Sequence, residues 1–155
     1  MKLSTRARYA LRAMMVVAHE GHDGHPVNLR AVAECTGISR RYLEQVTISL
    51  KSAGLLKGLS GKHGGHLLGR PAGEISLLEI VEAAIGSINV VECAETPEDC
   101  DRQEDCECRA LYRLVNRRIS TALREFTLAD LVRGRTHEVL EAELATERAR
   151  SGRSG

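Results

Sequence analysis

Four of the five cysteines fall within sixteen residues, as Cys93-x6-Cys100-x5-Cys106-x-Cys108, on a stretch that also carries eight acidic side chains between Glu92 and Glu107. Thiolates are the soft ligands of zinc and of iron-sulfur clusters. Crowding thiols among carboxylates raises their pKa and is unfavourable unless a positively charged centre is bound. Neither the six-residue nor the five-residue gap matches the paired two- to four-residue spacing of a structural zinc site. The spacing therefore favours a cluster, while zinc, a thiol-disulfide switch and a loop of unligated cysteines stay open. Cys35 stands apart and is expected to be a small buried residue. His19, His22 and His25, around a turn before Pro26, are expected to be surface histidines. No ordered His/Asp pair, paired carboxylates or Cys-x-x-Cys supports catalysis, so the chain is not expected to be an enzyme.

A second group of polar side chains shares a helical segment. Ser39 can cap a helix from Arg40 to about Ala53, in which Leu43, Val46, Leu50 and Ala53 form an apolar stripe while Arg40, Arg41, Glu44, Gln45 and Lys51 lie off it. Ahead of it, Asn28 caps a short helix from Leu29 to Cys35 that breaks at Thr36-Gly37. Two helices joined by a short glycine-containing turn, the second with Arg, Glu and Gln near its start, form a helix-turn-helix pattern. After Gly54 two short strands, Leu55 to Leu59 and His66 to Arg70, flank a glycine-rich basic tip at residues 60–65, which reads as a wing. The spacing for a nucleotide-binding loop is missing there.

The remaining elements must position these two groups. Ser4 caps a helix ending near Gly21, with Ala7, Ala10, Leu11, Met14, Val17 and Ala18 apolar at three- and four-residue steps. Ser76-Leu-Leu-Glu79 is a capping box opening a helix from Leu77 to Ile85, which is expected to pack beneath the wing. Periodicity is lost over 87–108 and returns with Leu111, Val115, Ile119, Ala122 and Phe126. That stripe needs a partner in so small a chain, and a second copy is the natural one. Thr127 to Asp130 can cap a further turn. The segment after Gly134 reads as a charged helix fraying into a disordered end.

Charge is distributed to match. The net charge over 155 residues is +1, yet residues 1–70 carry +7, residues 71–108 carry −10 and residues 109–155 carry +4. A basic first half points to a polyanion, and the acidic segment to a cation. With 43% hydrophobic residues the chain can bury a core, while 3% aromatic residues and no Trp argue against a base-stacking single-strand binder. Apolar runs stop far short of the roughly 18 residues of a membrane span, and no signal-peptide pattern opens the chain, so a cytoplasmic location without membrane contact is expected.

The segments Met1-Lys-Leu-Ser-Thr-Arg-Ala-Arg-Tyr-Ala-Leu-Arg-Ala-Met14, Gly37-Ile-Ser-Arg-Arg-Tyr-Leu-Glu-Gln45 and Gly64-Gly-His-Leu-Leu-Gly-Arg-Pro71 precede a cysteine loop that runs into Ala110-Leu-Tyr112. In this order, over about residues 1 to 132, they resemble the Rrf-type family of bacterial winged-helix transcription regulators, which has cluster-binding (IscR-, NsrR- and RirA-like) and cluster-free (CymR-like) branches. The resemblance implies a mainly α fold with a small β-hairpin wing, a winged helix-turn-helix plus a long C-terminal dimerisation helix. The expected organisation is a DNA-binding domain at 1–86, a cysteine-rich acidic sensor loop at 87–108, a dimerisation helix and turn at 109–133, and a charged tail at 134–155.

It also implies a homodimer on a palindromic double-stranded operator. Arg40 and Arg41 can fork onto guanine or pair with phosphate, Glu44 can accept from cytosine and Gln45 can bridge adenine. Tyr42 packs or meets a phosphate. Lys2, Arg6, Arg8, Lys51 and Lys57 are phosphate candidates. At the wing, Ser60 replaces the arginine of cluster-binding relatives, which leaves Lys62 and His63 for the minor groove, and His66 is expected to pack on its strand. By order, three family cluster ligands carry over to Cys93, Cys100 and Cys106. The family's two fourth-ligand positions hold Arg109 and Arg8, so Cys108 is the candidate replacement. The expected cofactor is an iron-sulfur cluster, 2Fe-2S ahead of 4Fe-4S, that senses iron, redox state or nitric oxide. The alternative is a cluster-free regulator of the same fold controlled by a protein partner or a thiol switch.

Overall fold

The computed structural model describes residues 3–21, 23–91 and 106–151. Their elements are α1 (Thr5–Glu20), α2 (Leu29–Thr36), α3 (Arg40–Ser52), β1 (Leu56–Leu59), β2 (Gly65–Leu68), a 3-10 turn at Ala72–Glu74, α4 (Leu77–Ile85), α5 (Glu107–Arg124), α6 (Leu128–Val132) and α7 (Arg135–Ser151). This is the mainly helical, hairpin-bearing winged architecture expected. Five helix starts are set by local chemistry. Ser4, Asn28, Ser39, Ser76 and Thr127 each accept a backbone N–H two or three residues into their helix, and Glu79 and Asp130 return the bond in two reciprocal boxes.

The core forms between α1, α3 and α4. Ala10, Ala13, Met14 and Val17 of α1 meet Leu43, Val46 and Leu50 of α3 and Leu77, Ile80 and Ala84 of α4. Small side chains on α1 leave room for α4 to lie along it. A smaller cluster joins Ala7 to Leu78, Val81 and Ile88, with Ile119 and Leu123 of α5 packed against it. α4 thus contributes to both clusters and lies along α1 and against α3, not beneath the wing. Its buried residues occupy too wide an arc to be covered by two short, half-exposed strands. On α3 the buried stripe is Leu43, Val46, Thr47 and Leu50. Ala53, expected in that stripe, is an exposed C-cap, and the Thr47 hydroxyl is satisfied by donating to the Glu44 carbonyl at 3.0 Å.

The wing is antiparallel, with Leu56 opposite Leu68 and Leu59 opposite Gly65. A third segment completes it, because Val27 and His66 exchange backbone hydrogen bonds of 2.9 and 2.8 Å. Gly65 is required by this approach, since a Cβ there would stand 2.7 Å from the Val27 carbonyl. Leaving the wing, Arg70 donates to Glu79 Oε1 at 2.6 Å and fastens the hairpin to the start of α4.

The chain after α5 returns to this core. Leu77 N–H donates to Phe126 O at 2.9 Å and Leu128 N–H to Ile75 O at 2.8 Å, so the two capping boxes sit side by side across a short antiparallel bridge. Leu128 is fully buried within the main core. The turn that the sequence groups with the dimerisation helix therefore packs into the N-terminal unit. Cys35, expected to be buried, is exposed. It lies about a quarter turn away from the Leu29, Val32 and Thr36 line that faces inward, as a helix of 3.6 residues per turn dictates. A charged helix follows Gly134 as expected.

Candidate nucleic-acid interface and cysteine site

Gly37, with φ 70°, closes α2 and gives the helix-turn-helix its tight corner. Thr36 donates to Val32 O at 2.6 Å, Ile38 N–H donates to the Thr36 hydroxyl at 3.3 Å, and Ile38 is buried between the helices. With the corner fixed and the Leu43, Val46, Thr47 and Leu50 side of α3 buried, its opposite side faces solvent. Arg40, Arg41, Glu44, Gln45, Ile48 and Lys51 are all exposed there. Arg40 Nε donates to Glu44 Oε1 at 3.2 Å. Both side chains are largely solvated, so the pair orients them weakly and is easily exchanged for a base or phosphate.

Other candidates are placed differently. Tyr42 is half-buried and meets Tyr9 edge-on, with centroids 5.1 Å apart, so it packs α3 on α1. Arg6 is half-buried, its Nη2 donates to the Ser49 hydroxyl at 2.6 Å, and its Nε is buried without a hydrogen-bond partner among the described residues. That places Arg6 as a tie between α1 and the recognition helix, a role no local pattern signals because Ser49 lies 43 residues away. Lys57, Lys62 and His63 are exposed on the wing, and Arg8 is exposed on α1. Lys2 and His22 lie outside the described residues.

A recess of about 500 Å³ joins wing to recognition helix and is lined by Asn28, Arg40, Lys51, Ser60 and His66 among others. His66 is half-buried, consistent with strand packing. Burial and then the Lys51 charge push its imidazolium below the ordinary 6.5, against a raising contribution from the Val27 backbone. His66 therefore enters neutral, and the positive charge of the recess comes from Arg40 and Lys51.

Cys106 is the N-cap of α5, half-buried and without a side-chain capping bond, and Cys108 is exposed in the first turn. Cys93 and Cys100 lie outside the described residues, and among the described residues no three ligating side chains gather. The donors that are described fit a metal-sulfur centre by chemical type, because Cys106 and Cys108 place two soft sulfur atoms two residues apart at the start of α5. Helix α5 starts at Glu107, so Cys108 belongs to the helix and not to the loop.

The entry to the cysteine segment is pinned to the same helix. Asn116, 5% exposed, accepts the Val90 N–H at 2.9 Å and donates to Asn89 Oδ1 at 3.1 Å. Asn116 follows Val115 of the apolar stripe, but Arg109, Arg113 and Ser120 share its side of the helix, so the neighbouring residues carried no signal of its burial. Its partners, 26 and 27 residues away, could not be read from them.

A capped helix-turn-helix, an exposed polar recognition face and a paired wing beside it define a winged-helix DNA-binding protein. A family model described as Rrf2, iron-dependent transcriptional regulator, matches residues 3–134. The chain belongs to that family and is a DNA-binding transcription regulator. It is 38% identical over 141 residues to the HTH-type transcriptional regulator IscR of Xenorhabdus nematophila, spanning 91% of this chain and 84% of the relative. It is 39% identical over 132 residues to IscR of Erwinia tasmaniensis, spanning 85% and 79%. Among solved structures it is similar to CymR, the global cysteine regulator of B. subtilis, with TM-score 0.70 and 32% identity over 85% of this chain and 96% of that one. It is also similar to T. potens IscR, with TM-score 0.71 and 29% identity over 86% and 88%. Among the described residues no helix is long and apolar enough to cross a membrane.

Proposed function

We propose that this chain is a homodimeric operator-binding regulator whose cysteine segment holds an iron-sulfur cluster, 2Fe-2S ahead of 4Fe-4S, and that the state of this site sets the affinity for DNA. The observation that carries the DNA half is the joint exposure of Arg40, Arg41, Glu44 and Gln45 on one side of α3 while its other side is buried. Arg40 and Arg41 supply guanine or phosphate contacts, and Glu44 and Gln45 read cytosine and adenine edges. Lys51 and, at the wing, Lys62 and His63 hold the duplex backbone and minor groove. Lys2 joins the phosphate contacts.

The second copy covers the α4–α5 end. Ile85, Leu111 and Leu114 are exposed on these two helices, and a recess of about 630 Å³ between them is lined by Glu82, Ile88, Arg113, Leu114 and Arg117. An apolar strip flanked by both charge signs suits a partner helix of the same chain, and a dimer gives two half-sites on a palindromic operator, roughly 34 Å apart.

Cys93, Cys100, Cys106 and Cys108 would hold the cluster. The similarity to IscR supports a cluster in this segment, with Cys108 replacing the family's fourth-ligand positions, which hold Arg109 and Arg8 here. When bound, the cluster supplies a redox- and ligand-reactive centre whose charge offsets the acidic segment. Cys106 anchors one end at α5, and Asn116 fixes the other near residues 89–90. Ile88, next to that anchor, packs with Ala7 of α1, and the adjacent Arg6 holds α3 through Ser49. A change at the segment thus has a contiguous packed route to the recognition helix.

Anaerobically isolated protein should contain iron and sulfide, absorb in the visible and elute as a dimer. A colourless protein with stoichiometric zinc would refute the cluster. For DNA, Arg41→Ala should relax base preference more than Lys51→Ala does. Equal loss on all sequences would refute base reading.

The similarity to CymR favours one second reading, control by a partner or thiol switch without a cluster. In the partner-controlled form, Cys106→Ala would leave DNA affinity unchanged under oxidising and reducing conditions.

A further inference from the structure

Ile48 is 61% exposed, the most exposed large hydrophobic side chain among the described residues. The other exposed aliphatics lie just before α1 and on β1, α4, α5 and α7; Ile48 is on α3, surrounded by polar and charged positions. At 100° per residue it falls within about 60° of Arg41, Glu44 and Gln45 around the helix axis, and opposite Leu43, Val46 and Leu50. It therefore shares the stripe that meets DNA and lies about 10 Å beyond Arg41 along the axis, comparable with three base-pair steps.

We propose that Ile48 is a specificity-determining residue that reads the 5-methyl group of thymine in the major groove. An aliphatic side chain has no hydrogen-bonding group, and the only apolar mark a base pair offers in that groove is the thymine methyl. A β-branched residue in a helix is held in essentially one χ1 rotamer, so little side-chain entropy is lost on contact. At the wing the exposed tip residues Lys62 and His63 are polar, and the exposed Leu59 lies on β1, off the recognition helix. Discrimination at this position comes from apolar contact alone, and the flanking Arg41 and Gln45 fix the register in which it is made. This rests on the base-reading assignment of the exposed side of α3 made above, so the test must separate the two.

The test uses the full-length protein and an operator selected from a random duplex library. Each thymine of one half-site is replaced in turn by deoxyuridine, which keeps the base pair and deletes only the methyl. Affinities are measured for the native chain, Ile48→Ala, Ile48→Val, Arg41→Ala and Lys51→Ala. One deoxyuridine position should weaken the native protein about 3- to 10-fold. Ile48→Ala should weaken binding to the unmodified operator by a similar factor and lose nothing further at that position, while Ile48→Val keeps most of the methyl dependence. A deoxyuridine profile for Ile48→Ala that matches the native one overturns the proposal. If base preference still shifts in Arg41→Ala, the failure belongs to Ile48 alone. If Arg41→Ala and Lys51→Ala lose affinity equally on every sequence, the assignment of the whole α3 side fails and Ile48 with it.

Discussion

Replacing Asn116 with alanine isolates the link between α5 and the entry to the cysteine segment. The side chain is 5% exposed and makes two hydrogen bonds, one accepted from the Val90 amide at 2.9 Å and one donated to Asn89 Oδ1 at 3.1 Å. Truncation leaves the half-buried Val90 amide without its acceptor, which costs about 1–3 kcal/mol when water cannot replace it. Asn89 is exposed and re-solvates, so its share is small. A net loss of about 2 kcal/mol corresponds to roughly 4–8 °C in Tm for a chain of this size. The assay is urea unfolding followed by circular dichroism at fixed protein concentration, since a dimer's stability depends on concentration. Asn89→Asp is the control; it keeps an acceptor for the Asn116 Nδ2–H at an exposed position and should cost less than about 1 kcal/mol. Hydrogen exchange at Val90 adds a local readout, with protection expected to fall in Asn116→Ala while α3 amides stay protected. A loss below about 0.5 kcal/mol, the range of ordinary surface substitutions, or an equal loss in Asn89→Asp would refute the anchoring role.

Three further outcomes follow from the geometry. Arg6→Ala should weaken DNA binding without changing the slope of log affinity against log salt, because the guanidinium is committed to Ser49; Ser49→Ala should weaken it comparably, with no added loss in the double variant. A slope reduced by about 0.9 would instead mark Arg6 as a phosphate contact. The Asp130 carboxyl is held at about 2, below its ordinary 3.8, by the Thr127 backbone N–H, then Arg135 and the Thr127 hydroxyl. A depressed acid stabilises the fold above its unfolded value and loses that contribution as pH falls. The urea-midpoint gap between native protein and Asp130→Asn should thus be constant above about pH 4 and close between pH 4 and 2, and a gap unchanged at pH 2 would contradict the assignment. In Gly69→Ala the new Cβ would meet the Gly54 carbonyl, and overpacking of that kind costs about 1–3 kcal/mol; thermal unfolding checks it, and a neutral result would show the wing base can yield.

Glu79 shows how neighbouring elements set one charge. Burial raises its pKa, but hydrogen bonds from Arg70, from the Ser76 backbone and from the Ser76 hydroxyl together hold it below the ordinary 4.5. The Ser76 contribution was legible as a capping box. The Arg70 contribution needed the wing to fold back onto α4.

That division runs through the molecule. Ser4, Asn28, Ser39, Ser76 and Thr127 announce their helices because a cap bonds to a backbone amide within one turn, and a rule with that reach is written in adjacent residues. The buried Leu43, Val46 and Leu50 and the exposed Arg40, Arg41, Glu44 and Gln45 were legible for the same reason, since the helical period sorts them onto opposite sides. The burial of Thr47, the exposure of Cys35 and the place of α4 along α1 depended on which side of each helix met a neighbour. Arg6 with Ser49, Asn116 with residues 89 and 90, and Ser76 beside Thr127 are decided only by tertiary structure. Each joins groups far apart in the chain, and no local propensity encodes such a meeting. It exists because apolar burial packs α1, α3, α4 and α5 together, and only that packing brings the recognition helix, the wing and the entry to the cysteine segment into one connected unit.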